Sequence, residues 1–304
     1  MKILLIQLRQ LGDVLLSAPL ARVIKERMAG SVVHFLTSEA AKDIVNDNPY
    51  IDKVLTLKAD FLNEIRMLFD IRAEHYDAIV DIQRTGRSKR LTLFSNAKLR
   101  IAFYKKGGNF CYNRLIKWEN QGYTSWERME LLMGLGLENP IEKYLPEMYL
   151  NETADRNAKG YLKKHGIKNF FIVAPTARKK EKMWNPDYFG KLANLISQMN
   201  GYTPIVVYGP GEKDMAIECF NVLKTGHIIE KPLPIKEFAG LVYLSEFIIG
   251  NDSFASHLGV SLRKKSIVIL GPNSGWFVDN ENTLLVYKSL MPEEVFEKIK
   301  NFIH

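Results

Sequence analysis

At 304 residues, with hydrophobic side chains making up 46% of them, the chain is too long for one core and rich enough in apolar groups for two. No apolar run approaches the ~18 residues of a membrane span, and the apolar opening ends at Gln7 and Arg9 before a secretory leader's ~7 apolar residues accumulate. Two well-separated cysteines, Cys111 and Cys219, exclude a disulfide framework and a zinc site, so the expected compartment is the cytoplasm. The net charge of +8 points to an anionic partner.

Taken in order, apolar runs alternate with helix-period segments, the pattern of parallel sheets wrapped by helices. Ile3–Ile6 reads as a buried strand, followed by a turn holding Gly12 and Asp13 and then by one helix running from Val14 to Met28. Asp13 therefore stands at the carboxyl end of a strand, where α/β sheets bind ligands; capping of the helix is the other reading of the same position. Further strands are expected at 32–36, 53–57, 78–82 and 100–103, with helices over 61–72 and 126–135. Gly134, Gly136, Pro140 and Pro146 then punctuate the chain. A second alternation starts near Asn151, with strands at 170–174, 204–208, 247–250 and 266–270 and helices at 188–199, 212–223, 235–244 and 253–260. The expected fold is α/β, two Rossmann-like doubly wound domains over 1–150 and 151–304, with a ligand cleft between their strand ends.

Neither G-x-G-x-x-G after the first strand nor G-x-x-x-x-G-K-[ST] occurs, which removes the usual dinucleotide and P-loop readings. An Asp-x-Asp grip for a diphosphate-bound divalent ion is also lacking, so no metal is expected. The stretch from Ile248 to Leu258 reads as strand, turn and helix, a natural anion site with Ser253 as an added donor. Asp252 or Ser253 as a simple N-cap, and His257 as a core histidine, are the structural alternatives. From Ala174 to Trp184 a strand-to-helix turn carries Arg178, Lys179, Lys180 and Lys182. Lys182 suits a departing diphosphate, with Thr176 as a hydroxyl donor; a solvated basic loop is the alternative. Trp184 is expected to pack beneath the following helix. Between Arg84 and Lys117 lie ten cations and no acid, among them Arg87, Lys89 and Arg90, interleaved with Phe103, Tyr104, Phe110, Tyr112 and Trp118. Such a surface suits an anionic glycolipid or membrane headgroups; no known nucleic-acid reader module is present, and nucleic acid is not an expected partner.

Together these segments resemble the ADP-heptose:lipopolysaccharide heptosyltransferases, the family 9 inverting glycosyltransferases of the GT-B fold. The resemblance spans nearly the whole chain. It rests on L-G-D-V-L-L-S-A-P-L at 11–20, D-I-Q-R-T-G-R-S at 81–88, W-E-R-M-E-L-L-M-G-L-G-L at 126–137, K-M-W-N-P at 182–186, N-D-S-F-A-S-H-L-G-V at 251–260 and the following I-L-G-P-N. It implies Asp13 as the general base on the acceptor hydroxyl, a carboxylate being ionised at neutral pH. Thr176, Lys182 and the N–H groups around Ser253 and Phe254 would then stabilise the leaving diphosphate without a cofactor or metal. Asp252 would hold sugar hydroxyls, Glu212 the ribose and Leu233 the adenine. His257 belongs to the same donor-binding stretch, and Arg84, Arg87, Lys89 and Arg90 would meet the acceptor. The implied partners are a nucleotide-sugar donor, an anionic lipopolysaccharide-type glycolipid and, peripherally, the cytoplasmic face of the inner membrane.

The chain departs from the family at Phe254, where a glycine is usual in D-T-G-P-M-H, and at Gln7, where a lysine is common. Two other functions therefore stand beside heptosyl transfer: a nucleotide- or glycan-binding protein without turnover, and a sugar-nucleotide epimerase of the same fold. ADP release from ADP-heptose, with and without acceptor, separates the three.

Overall fold

Five residues from Lys2 to Ile6 form β1, and from Ile3 onward none has accessible surface. In the computed structural model, residues 1–138, 143–271 and 276–303 are described. The chain divides into two units, Met1–Tyr149 and Leu150–His304. Pro140 and the Pro272–Asn273 pair lie outside the described residues.

In the first unit β1 is followed by α1 (Leu11–Ser17), α2 (Pro19–Arg27), β2 (Val32–Ser38), α3 (Lys42–Val45), β3 (Lys53–Leu57), α4 (Phe61–Ala73), β4 (Ala78–Asp81), α5 (Gly86–Phe94), β5 (Leu99–Phe103), β6 (Arg114–Ile116) and α6 (Thr124–Met129). The strands form one parallel sheet in the order β3-β2-β1-β4-β5-β6. Alternation along β1 sends Leu4 and Ile6 into a core with Met67 and Ile71 of α4 and Leu91 of α5. The helix expected from Val14 to Met28 is two helices: Pro19 has no N–H to continue the first, and it opens α2 instead. Likewise the segment from Trp126 to Leu135 is α6 and then a tighter 3₁₀ stretch, Glu130–Leu135.

The second unit runs α7 (Glu152–His165), β7 (Phe170–Ala174), α8 (Pro186–Asn200), β8 (Thr203–Val206), α9 (Lys213–Val222), β9 (His227–Ile228), α10 (Ile235–Leu244), β10 (Phe247–Asn251), α11 (Phe254–Ser261), β11 (Lys265–Leu270), β12 (Thr283–Tyr287) and α12 (Pro292–Ile299). Its parallel sheet reads β12-β11-β10-β7-β8-β9. Counted from β7, that is the order of the first sheet. Each sheet thus reverses direction beside its own first strand, between β1 and β4 and between β7 and β10, and such switch points open the crevice in which doubly wound sheets hold ligands. Close packing maintains the second one: a Cβ on Gly250 would lie 2.9 Å from Ser256 Oγ and 3.1 Å from Ala174 Cβ, and one on Gly259 would collide with Ile248. No helix among the described residues is long and apolar enough to cross a membrane.

Candidate functional site

The first switch point is built from the turns after β1 and β4. Gln83 joins them, its Oε1 accepting from the backbone N–H of Leu8 at 2.7 Å and Arg9 at 3.3 Å. Gln7 is buried and donates to the Arg9 carbonyl at 2.6 Å, so it stiffens the turn from inside. Asp13 lies in the first turn of α1. Its Oδ2 accepts from the Gln10 N–H at 3.3 Å, so the capping role is real. Its Oδ1 is ion-paired with Arg128, whose guanidinium also donates to the Asp13 carbonyl and, at 2.8 Å, to Ser17 Oγ. The two side chains are 23% and 11% exposed, so the pair is neither buried nor free in water. A carboxylate offers about four lone-pair positions, and the partners named occupy two. Capping and proton acceptance are therefore compatible at Asp13, and Arg128 sets which way the carboxylate faces.

Beside this lies the cationic segment. Arg84 is buried, with backbone φ of +54°. Its guanidinium donates to the carbonyls of Phe103, Gly107 and Gly108 and to Asn109 Oδ1, and it lies over the Tyr112 ring. Its charge is spent bracing the 103–109 loop from within. Arg87 and Arg90 both reach Glu64 of α4, at 2.9 and 2.5 Å; Lys89 lies over Gly108. The segment that lacks acids in sequence thus takes one from another helix. Beneath it Asp81 is fully buried and accepts from the Tyr112 hydroxyl at 2.6 Å and the Arg84 N–H at 2.9 Å. Burial pushes both the Asp81 carboxyl and the Tyr112 hydroxyl above their ordinary ranges.

The second switch point joins the turns after β7 and β10. Asn251, with no accessible surface, holds them together: its Nδ2 donates to the Pro175 carbonyl at 2.8 Å and its Oδ1 accepts from the Trp184 N–H at 2.8 Å. Trp184 is buried, with edge-on contacts to Tyr188 and Phe189 of α8, and it donates to the Leu290 carbonyl at 3.1 Å. Lys182 meets Asp252 at 2.5 Å and lies 5.4 Å from the Trp276 ring centre. Asp252 is the more buried partner, and Lys182, about a third exposed, presents the accessible end of the pair.

Ser253 is the N-cap of α11, yet its hydroxyl makes no capping hydrogen bond. Phe254 opens the helix and is half-buried, and the buried His257 stacks on Phe277 with ring centres 4.1 Å apart. Thr176 donates to Glu212 Oε2 at 2.6 Å, and the same oxygen accepts from the Gly209 N–H at 3.0 Å. Leu233 is half-buried in the loop before α10, and Glu212 stands at the N-cap position of α9 with its carboxylate turned to Thr176 and Gly209 rather than to the helix. Among the described residues no cluster of three or more His, Cys, Asp or Glu is placed to hold a metal ion.

The structure therefore pairs Lys182 with Asp252 and Thr176 with Glu212, four residues nominated separately from sequence. Three that matter were not nominated: Arg128, Asn251 and Gln83. All three lie within motifs carrying the resemblance, but their partners are 67 to 115 residues away and no local pattern marks them.

Residues 65–284 match the model of glycosyltransferase family 9 (heptosyltransferase). The match begins after Asp13. In sequence the chain is similar to lipopolysaccharide heptosyltransferase 3 of Escherichia coli, 22% identical over 286 residues that cover 86% of this chain and 80% of the relative. In structure it is similar to a family 9 glycosyl transferase from Veillonella parvula, with a TM-score of 0.89, 16% identity and coverage of 99% and 97% of the two chains. It is also similar to the E. coli ADP-heptose LPS heptosyltransferase II, with a TM-score of 0.85, 15% identity and coverage of 100% and 98%. At these identities the structural likeness is one of fold, two doubly wound domains of the GT-B class.

Proposed function

Since the chain belongs to glycosyltransferase family 9, we propose that this glycosyltransferase moves a heptose, or a closely related sugar, from its ADP-linked donor to an anionic lipopolysaccharide-type glycolipid. The reaction is a single displacement with inversion and no metal. The acceptor oxygen attacks the anomeric carbon, the bond from that carbon to the phosphate oxygen breaks, and ADP departs with the electron pair. Asp13 takes the acceptor proton as the new bond forms. Lys182, released from Asp252, and the free N–H groups at the start of α11 meet the charge that grows on the diphosphate. Asp252 then turns to the sugar hydroxyls, Glu212 to the ribose and Leu233 to the adenine, while Arg87, Lys89 and Arg90 meet the acceptor's anionic groups on the surface that the buried Arg84 braces.

The observation that carries this reading is the placement of a partly exposed carboxylate at one switch point, held in orientation by Arg128, and of an accessible lysine at the other. The test supplies ADP-heptose and a truncated lipopolysaccharide core and follows ADP release. Asp13→Asn is expected to reduce turnover at least a hundredfold with donor affinity unchanged within a few-fold. Equal turnover in that variant removes Asp13 from the chemistry. Isomerised donor in the absence of acceptor would replace the transferase with an epimerase.

A further inference from the structure

The turn that follows β7 continues past the donor residues. After Lys182 it runs over the end of β10, where the Trp184 N–H donates to Asn251 Oδ1 at 2.8 Å. It then meets the connection after β12, where the Trp184 indole donates to the Leu290 carbonyl at 3.1 Å, and Lys288 in turn donates to the Glu181 carbonyl. Between this turn and the ends of β11 and β12 lies a cleft of about 490 Å³, a size within the ~300–1,000 Å³ of small-molecule sites. It stands at the carboxyl edge of the parallel sheet, where doubly wound folds take ligands. None of its lining residues is among those assigned to the donor, Thr176, Lys182, Glu212, Leu233 and the turn from Asp252 to His257.

Three aromatic side chains, Trp184, Tyr188 and Tyr287, share the lining with the buried Leu270. Trp184 and Tyr188 meet edge to face with ring centres 5.4 Å apart, and Tyr287 is 63% exposed. The polar members are Asn185, Lys288 and Ser289, with no acid beside them. These groups keep donors in reserve. Asn185 caps α8 through its Oδ1, which accepts from the Asp187 N–H at 3.0 Å, and that leaves its amide N–H groups. The Lys288 ammonium has three N–H groups, one of them used on Glu181.

A ligand that suits this lining needs an apolar face for the rings and acceptors around its edge for the donors. A pyranose has both: its C–H face lies flat on an aromatic ring while its hydroxyl oxygens point outward. An acyl chain would leave the amide, hydroxyl and ammonium groups without partners as it displaced their water. With a lysine and no carboxylate in the lining, a sugar that carries a carboxylate or a phosphate is favoured over a neutral one.

We propose that this cleft is a second saccharide site, separate from the donor site, which holds an anionic sugar unit of the acceptor's oligosaccharide, with Tyr287 as the ring platform and Lys288 as the charge partner. The inference deepens the proposed function and rests on it for the origin of the saccharide; the binding itself needs no transfer.

The test is calorimetric titration of the full chain, kept saturated with ADP, with deacylated lipopolysaccharide core oligosaccharide. The same oligosaccharide, dephosphorylated and with its carboxylates reduced, is the neutral control. Tyr287→Ala is expected to weaken binding of both by about fivefold or more, as truncating an aromatic anchor does, with circular dichroism and ADP affinity unchanged. Lys288→Gln should weaken the charged oligosaccharide about threefold and leave the neutral one unaffected. The Tyr287-dependent binding should persist in an Arg87→Ala, Lys89→Ala background, which removes acceptor contacts proposed for the first unit. No binding in the presence of ADP, equal binding by Tyr287→Ala, an equal loss for both oligosaccharides in Lys288→Gln, or disappearance of the Tyr287 effect in the Arg87→Ala, Lys89→Ala background would each overturn the assignment. Because no sugar transfer is read, an inactive transferase leaves these outcomes standing, and an active one whose oligosaccharide affinity ignores Tyr287 refutes the cleft alone.

Discussion

Replacing Arg128 with methionine keeps most of the side chain's apolar length and removes its donors. Asp13 loses its charged partner, and the Asp13 carbonyl and Ser17 hydroxyl lose a hydrogen bond each. The pair's partial exposure places the loss between an exposed ion pair, worth ~0–1 kcal/mol, and a broken buried one, ~3–5 kcal/mol; about 2–3 kcal/mol is expected. For a unit near 150 residues this lowers its melting temperature by about 5–10 °C. With nothing holding Oδ1, the carboxylate can turn about its own side-chain bonds, and a misplacement of ~1 Å costs turnover about a hundredfold. The assays are thermal denaturation, ADP-release kinetics and donor affinity, the last expected to be unchanged. A double-mutant cycle with Asp13→Asn then asks whether the effects belong to one interaction: a coupling of ~1–3 kcal/mol is expected. Additive stability losses, or an Arg128→Met enzyme with parental turnover, would refute the view that Arg128 orients this carboxylate.

In the second unit, Asn251→Ala leaves the Trp184 N–H and the Pro175 carbonyl without their partner in a site closed to solvent; about 2–4 kcal/mol of stability and a measurable share of ADP affinity should be lost, read by thermal denaturation and calorimetric titration. The pH dependence of the first unit should carry a mark from Glu74, whose carboxyl is lowered to about 2 by its hydrogen bonds to Lys2 and then Lys53. A depressed acid stabilises the fold above its unfolded value, so stability should fall as pH drops from about 4.5 toward 2, and Glu74→Gln should flatten that decline in acid-unfolding curves. An identical acid profile in the variant would exclude Glu74 as its source.

Much of the architecture was legible because buried parallel strands leave short apolar runs bounded by turns: Ile3–Ile6, Phe170–Ala174 and Ile267–Leu270 are too short for a buried helix, and their β-branched residues suit a strand. The short edge strands β6 and β9 were not legible, having three and two residues and no buried residue to pattern them. At the site, the strand-to-helix segments that hold Asp13, Lys182 and Asp252 could be picked out from sequence, while the roles of these residues were what the family resemblance implied. What each of them touches could not be picked out. The acid that neutralises Arg87 and Arg90 comes from α4, and the base that neutralises Asp13 comes from α6; charge balance between elements follows the three-dimensional arrangement, which a linear tally of cations cannot weigh.

The shared strand order has a practical corollary. Each sheet completes its own ladder and reversal without borrowing a strand from the other, so a cut between Tyr149 and Leu150 strands no hydrogen-bonding edge. Chimeras joined at that bond, with either half taken from another family member, would retain both topologies whole, and they offer a direct way to ask which half chooses the alcohol and which chooses the activated sugar.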